Sequence, residues 1–315
     1  MLTKSSFLFI LIMCSCKLLG AETENMKKFF VSVFLVLISL SAYAAEKEEP
    51  TVVRFNNLFT FKASLNYNYN YYFIEPTEEG DNYGFQTYQP LVLGLGFGIK
   101  NIFLSFYVSI PIFPEYKDNK SQTFNFAFNH YNRNRSFFNG YVKYYNGFFG
   151  ESENNAKLSI LNIGLVETFI LNRDHPLRTI YNLDGRQTRS NGSFLIGGRL
   201  LFTAVRSNRK ILHENSREQY SFYFGPTLGY SYTFVIGGNF FINLLANVGL
   251  DFVFNDGYFS PGFQAMPKFA IGYHGKKWSV SLVNNFSYLL GDYSSNTQYN
   301  LISGDIGLFF RRRFL

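Results

Sequence analysis

Between Asn239 and Phe254 the chain alternates without a break. Phe240, Ile242, Leu244, Ala246, Val248, Leu250, Phe252 and Phe254 fall on one side, and Phe241, Asn243, Leu245, Asn247, Gly249, Asp251 and Val253 on the other. Successive side chains of a strand point to opposite faces, so one face of this element is wholly apolar and the other mixed. Strands of soluble sandwiches usually run to about 5 or 6 residues, whereas a strand tilted across a bilayer needs about 9 to 11. The run is long enough for a membrane and predicts a lipid-facing side and an inward side.

The same pattern recurs along the chain. Phe61 to Phe73 alternates with Lys62, Ser64, Asn66, Asn68 and Asn70, and Glu75 to Gln89 follows as a long polar loop. Leu91, Leu93, Leu95, Phe97 and Ile99 oppose Gly94, Gly96 and Gly98, and a tight turn at Lys100-Asn101 leads into Ile102 to Ile110. A loop from Phe113 to Lys120, a strand through Phe124, Phe126 and Phe128, a turn at Asn132 to Arg135 and a strand from Phe138 to Tyr145 come next. Leu158 to Leu171 alternates less cleanly, and in Asn172 to Arg189 the short apolar piece Thr179 to Leu183 reads as an extra strand or a periplasmic excursion. Four further strands are expected around the charged loop Arg206 to Glu218, the turn Gly237-Gly238, a longer loop opening at Asn255-Asp256-Gly257 and the turn His274-Gly275-Lys276. Two last strands, with outer rows from Trp278 to Tyr288 and Ile302 to Phe310, flank a loop from Gly291 to Thr297.

Long and short connections therefore alternate, as in outer-membrane barrels, whose long loops face outside and whose short turns face the periplasm. The expected fold is all-β, an antiparallel up-and-down transmembrane barrel of about 12 strands, or about 14 if Arg178 to Asp184 forms a strand and parity supplies another.

Composition supports this pattern. Of 315 residues, 38 are Phe and 23 Tyr, with 16% charged. A barrel places such aromatics on its outer band and interfacial girdles. The mean hydropathy is close to zero, as alternation requires. No segment after the N-terminal region offers about 18 uninterrupted apolar residues, so helical spanning is unsupported. From Met26, Lys27-Lys28, the apolar Phe29 to Leu40 and Ala42-Tyr43-Ala44 form a secretion signal; Lys4, Phe7 to Met13 and Cys14-Ser15-Cys16 make a weaker one upstream. Met26 reads as the true start, residues 1–44 as a signal region cleaved after Ala44, 45–59 as a periplasmic lead and 60–315 as the barrel. Both cysteines lie in the signal region, leaving the mature chain no disulfide or thiolate. Its balance of 25 basic to 20 acidic residues gives no case for nucleic acid.

Pro90 to Ile99, Arg186-Gln187 with Ser190 and Gly192 to Gly198, and Phe224 to Ile236 with Asn239-Phe240-Phe241 resemble the bacterial family known as domain of unknown function 4421, in the same order over nearly the whole mature chain. The resemblance implies an exported, barrel-like protein of unassigned activity and supplies no catalytic residues.

The candidate lumen-lining charges are Lys62, Lys143, Glu167, Arg199, Asp251, Lys268 and Asp305. They would line a pore and set its selectivity, or pair across a narrow lumen and plug it. Barrels of about 8 strands are filled by side chains and porins need about 16 to 18, so a plugged or very narrow interior is expected at about 12. A lipid-modifying enzyme would need a serine beside an oriented histidine. His130, His175, His213 and His274 all fall at strand ends, turns or loops, mostly solvated, with no serine two residues away on the same face, although a cross-strand pair stays open. No enzyme, cofactor or metal site is therefore expected. Gly94-x-Gly96-x-Gly98 lacks the spacing and following helix of a dinucleotide fingerprint. The stretch from Arg173 to Glu218, with nine basic and four acidic residues, reads as solvated loops or as a contact for lipopolysaccharide phosphates or a periplasmic partner. Expected partners are outer-membrane lipid, lipopolysaccharide and the barrel-assembly machinery; the alternatives to a narrow channel or structural barrel are a lipid-modifying enzyme and an adhesion barrel using its long loops.

Overall fold

The alternating stretches are strands in the computed structural model, which describes residues 51–315 apart from 56–57, 77–82, 89–90, 111–120, 133–134, 151–155, 176, 178–180, 182–184, 213–215, 256, 295–296 and 315. The elements are β1 (Val52–Arg54), β2 (Phe59–Pro76), β3 (Tyr83–Thr87), β4 (Leu91–Ile99), β5 (Ile102–Ser109), β6 (Gln122–Asn132), β7 (Ser136–Gly150), β8 (Lys157–Ile170), β9 (Gly185–Gln187), β10 (Asn191–Ser207), β11 (Glu218–Ile236), β12 (Phe240–Asn255), β13 (Tyr258–Ala265), β14 (Lys268–His274), β15 (Trp278–Ser294) and β16 (Thr297–Phe314). The signal region and the loop at Phe113 to Lys120 lie outside the described residues.

All pairings are antiparallel, and β2 meets β16 from Phe59↔Phe314 to Pro76↔Thr297, so the sheet closes on itself. Closure satisfies every edge that an open sheet would leave unpaired. The ring differs at its two ends. At the short-turn end it runs β2, β4, β5, β6, β7, β8, β10, β11, β12, β14, β15 and β16, a circumference of 12 strands. At the long-loop end β3 pairs directly with β2 and β7 and replaces the span of β4, β5 and β6, which leaves 10. A bulge in β7 between Asn146 and Phe148 makes this closure, with Gly147 at φ 96°. Glycine adopts that conformation without strain, and the extra residue reverses which side chains face inward. Tyr145 before the bulge and Phe148 after it both reach the interior. Ser121 fastens the junction, accepting from Tyr88 N at 2.8 Å and donating to Gly147 O at 2.5 Å.

The exterior carries the apolar row of every strand: Leu93, Leu95 and Phe97 of β4, Phe106 of β5, Leu165 of β8, Leu228 of β11, Leu250 of β12 and Leu308 of β16 are all exposed. A surface of that composition is solvated by hydrocarbon, not water.

Three connections depart from the expected pattern. Glu75 to Gln89 contains β3. Asn255 pairs with Tyr258 and Ser294 with Thr297, so both late connections at the loop end are tight turns, where a longer loop was expected. Of the stretch Arg178 to Asp184, the described residue Tyr181 is helical, like Leu177 just before it, and the described strands of the ring number 12 at the turn end. β1 pairs with β9 in a separate two-stranded sheet at the turn end.

Candidate functional site in the barrel interior

The interior is stacked in three layers. At the loop end, Tyr72, Ile74, Phe85, Phe148, Leu158, Ile160, Leu201, Val205, Val253 and Leu289 form one apolar cluster drawn from around the ring, and Leu212 of the loop between β10 and β11 joins it. This layer is a packed core. Beneath it Arg199 and Asp251 are buried and ion-paired, Arg199 Nε donating to Asp251 Oδ1 at 3.3 Å and Nη2 to Oδ2. They reach each other across β11 over Gly225, where a Cβ would strike the Leu250 carbonyl oxygen and the Asp251 Cα. A buried pair of this kind holds its geometry because each charge would be costly alone.

The middle layer lines a cavity of about 290 Å3. Lys143, Lys268 and Asp305 line it, with Asn66, Asn68, Asn125, Asn129, Asn139, Asn247 and Asn285 and the rings of Tyr107, Tyr141 and Tyr181. Asn285 Nδ2 donates to Asp305 Oδ2 at 3.0 Å. The Lys143 ammonium stands 5.2 Å from the Tyr141 ring centre and that of Lys268 5.4 Å from Tyr181, both within cation–π range. Lys62, alongside, donates to Ser105 Oγ at 2.6 Å and Tyr107 Oη at 2.7 Å. Two glycines of β4 make room here: a Cβ at Gly94 would strike Ser64 and Tyr107, and one at Gly96 would strike Lys62.

The turn end is filled from below. Leu177 and Tyr181 pack among Tyr131, Ile170, Leu195 and Leu245. Tyr181 Oη donates to Asn243 Oδ1 at 3.0 Å and its carbonyl accepts from Arg311 Nη2 at 2.5 Å. His175 Nε2 lies 3.0 Å from Ser231 Oγ, which also accepts from Asn243 Nδ2 at 3.0 Å. Burial pushes the His175 imidazole down to about 4. Arg313 donates to Lys276 O and Trp278 O, each at 3.0 Å, and ties the last strand to the β14–β15 turn.

Six of the seven expected lumen residues therefore face inward. Lys143, Lys268 and Asp305 share one cavity, Arg199 and Asp251 pair above it, and Lys62 stands at its side. Glu167 is corrected: Asn162, Gly164, Val166 and Thr168 take the inward positions of β8, so Glu167 is exposed on the outer face, between Phe138 and Gly198 near the turn end. The view of the histidines as mostly solvated is corrected for His175 and His274, which are 0% and 3% exposed; His213 lies outside the described residues. The rule of a serine two residues away missed the cross-strand His175–Ser231 contact, because its partners are 56 residues apart. Arg311 and Arg313 were missed as lumen residues too, although strict alternation from Ile306, Leu308 and Phe310 puts them inside.

Among solved structures the chain is similar to the β-domain of the Bordetella autotransporter BrkA (10% identity, TM-score 0.39, covering 79% of this chain and 99% of that one). It is similar also to the outer-membrane protease OmpT of Escherichia coli (8%, 0.39, 82% and 97%) and to the COG4313 outer-membrane channel of Pseudomonas putida F1 (8%, 0.39, 86% and 100%). At these scores the ring rests on its own strand pairings and not on the likeness. Curated protein sequences give no match. The family model described as Domain of unknown function (DUF4421) matches residues 52–314, from β1 to the last residue of β16, and the chain belongs to that family.

Proposed function

We propose that the protein is an outer-membrane barrel whose lumen is shut, a structural or solute-holding barrel and not a passive channel. The loop end faces the outside and the turn end the periplasm, in the sense the connection lengths favour. The exposed apolar exterior and the secretion signal read at Met26 support insertion in that membrane. The observation that carries closure is the loop-end core: residues such as Phe148 and Ile160, both 0% exposed, fill the lumen there, and opening a route for an ion would disrupt a hydrophobic cluster. The polar middle layer is then a chamber and not a segment of a pore.

A lipid-modifying enzyme has one observation in its favour, the His175–Ser231 contact. Both residues are 0% exposed, which seals the hydroxyl from any lipid ester, so we read the pair as an anchor of the turn-end layer.

Refolded protein that shifts on heating in a gel is expected to give no steady conductance in a planar bilayer. A porin-like open current from the same preparation would overturn the closed reading. Phospholipid turnover lost in His175→Ala would overturn the non-enzymatic one.

A further inference from the structure

The seam where the ring closes carries a cation inside its aromatic belt. Arg312 lies on the outer row of β16 between Phe310 and Phe314, in register with Trp278 on β15 and with Phe61 on β2. Side chains in register on an antiparallel pair share a face, and Arg312, Trp278, Phe61, Phe310 and Phe314 are all exposed. The belt runs on to either side, with the Phe59 and Phe314 rings stacked at 4.5 Å and those of Tyr273 and Trp278 5.1 Å apart. Trp278 opens β15 and Phe59 opens β2, so this group sits at the very rim of the turn end. Such rings settle at the level of lipid headgroups, which puts the Arg312 guanidinium at the depth of their phosphates.

Among the described residues nothing neutralises that charge. The Arg312 side chain makes no hydrogen bond or ion pair with any of them, and neither do the exposed Lys276 and Lys277 of the β14–β15 turn or Lys100 of the β4–β5 turn. No described Asp or Glu lies in the turn-end half of β2, β4, β14, β15 or β16. The loop end shows the alternative: the exposed Arg206 of β10 is met by Glu218, Nε to Oε1 at 3.3 Å. The anion that answers Arg312 therefore comes from outside the chain. A guanidinium takes a phosphate through two parallel hydrogen bonds, and the neighbouring ammonium groups add attraction at longer range. In line with Arg312, the exposed Leu308 and Ile306 of β16 and Leu282 of β15 offer acyl chains an apolar bed.

We propose that the turn-end seam is a binding site for an anionic glycerophospholipid, its phosphate on Arg312 in the field of Lys276 and Lys277 and its chains along the outer rows of β15 and β16. The site is independent of whether the lumen conducts. It rests on the reading of the exterior as lipid-facing and of the turn end as periplasmic.

The chain has one tryptophan, Trp278, so tryptophan fluorescence reports this seam alone. The test reconstitutes the full folded barrel in phosphatidylcholine vesicles containing rising fractions of a lipid brominated on its acyl chains, which quenches on contact. Brominated phosphatidylglycerol is expected to quench at a mole fraction at least about fivefold lower than brominated phosphatidylcholine, and Arg312→Gln to bring the two to within about twofold. Arg312→Lys should keep part of the preference, since the charge stays and the planar fork is lost. Arg206→Gln, at the other end, should keep all of it. Heat modifiability confirms that each variant is folded.

Equal quenching by the two lipids in the natural protein would overturn the site and uphold the lipid-facing exterior; no quenching by either would overturn the exterior reading itself. A preference undiminished in Arg312→Gln would take the phosphate away from Arg312. Displacement of brominated phosphatidylglycerol by lipid A more readily than by unbrominated phosphatidylglycerol would overturn both the choice of lipid and the orientation.

Discussion

The loop-end and turn-end halves of this barrel share most of their strands and the same apolar exterior, yet their interiors follow opposite rules. Where β3 closes the ring at 10 strands, aromatic and aliphatic side chains touch one another across the lumen, with Gln219, Ser221 and Asn255 buried beside them. Where the ring widens to 12, the inward positions carry asparagine, lysine and arginine around a cavity, and Leu177 and Tyr181 fill the mouth. Two fewer strands bring opposite walls close enough for a dry core, and the wider ring cannot be bridged by apolar side chains of the same length. A single bulge at Gly147 therefore divides one tube into a closed head and a polar chamber.

The comparison breaks most visibly at the boundary between the halves. Arg199→Met leaves Asp251 buried and unpaired, and is expected to cost about 3–5 kcal/mol of stability in urea unfolding from detergent or vesicles. The double variant Arg199→Met, Asp251→Leu should recover most of that, because it is the orphaned charge that is expensive. If the single and double variants are equally destabilised, the pair is not what joins the layers. Within the loop end, Phe148→Ala is expected to cost about 3–5 kcal/mol and to open a leak in planar bilayers. Retention of a silent membrane by the folded variant would show that the closure lies elsewhere. Outside, Leu250→Arg should cost about 2–4 kcal/mol if its level is the hydrocarbon midplane. Glu167→Gln, nearer the turn end, is expected to change stability by less than about 1 kcal/mol.

The exterior was fully legible in the chain, and the division of the interior was not. Alternation depends on the backbone alone, so Phe240 to Phe254 and Leu91 to Ile99 announce their outer rows at once. β8 looked irregular for a reason that only the layers explain. Its inner row begins with Leu158 and Ile160 in the apolar core and continues with Asn162, Gly164 and Thr168 in the polar layer, so its first turns have no polar face to alternate with. Frame slipped there by one residue, which is how Glu167 came to be read as inward. β3 was hidden because Tyr83 to Thr87 is short and flanked by polar sequence, and its pairing partners Phe148 to Gly150 lie about 60 residues away, a contact that no local pattern encodes. In Asn172 to Arg189 the described residues Leu177 and Tyr181 are held by β6, β8, β10 and β12, contacts that no local period encodes. Of the candidate site, the charges were visible as interruptions of inward rows, whereas their grouping into one pair and one cavity follows from a closure the chain does not announce.

A further effect separates the two halves by acidity. His175 is ordinarily protonated near 6.5, and burial beside Ser231 holds it down to about 4, so the folded chain resists a proton that the unfolded chain accepts. Its contribution is therefore complete above about pH 6.5, declines as the pH falls through that value, and stops declining only below about 4. At pH 5.5 the loss amounts to about 1 kcal/mol. His175→Asn removes the titrating ring, so the difference in unfolding free energy between the natural protein and this variant should shrink by that amount between pH 7.5 and 5.5. Phe148→Ala, compared in the same way, leaves His175 in place and should keep its difference at both pH values. An equal pH response in the two comparisons would mean that acidity acts on the barrel as a whole, and the turn-end layer would lose its claim to be the half that loosens separately.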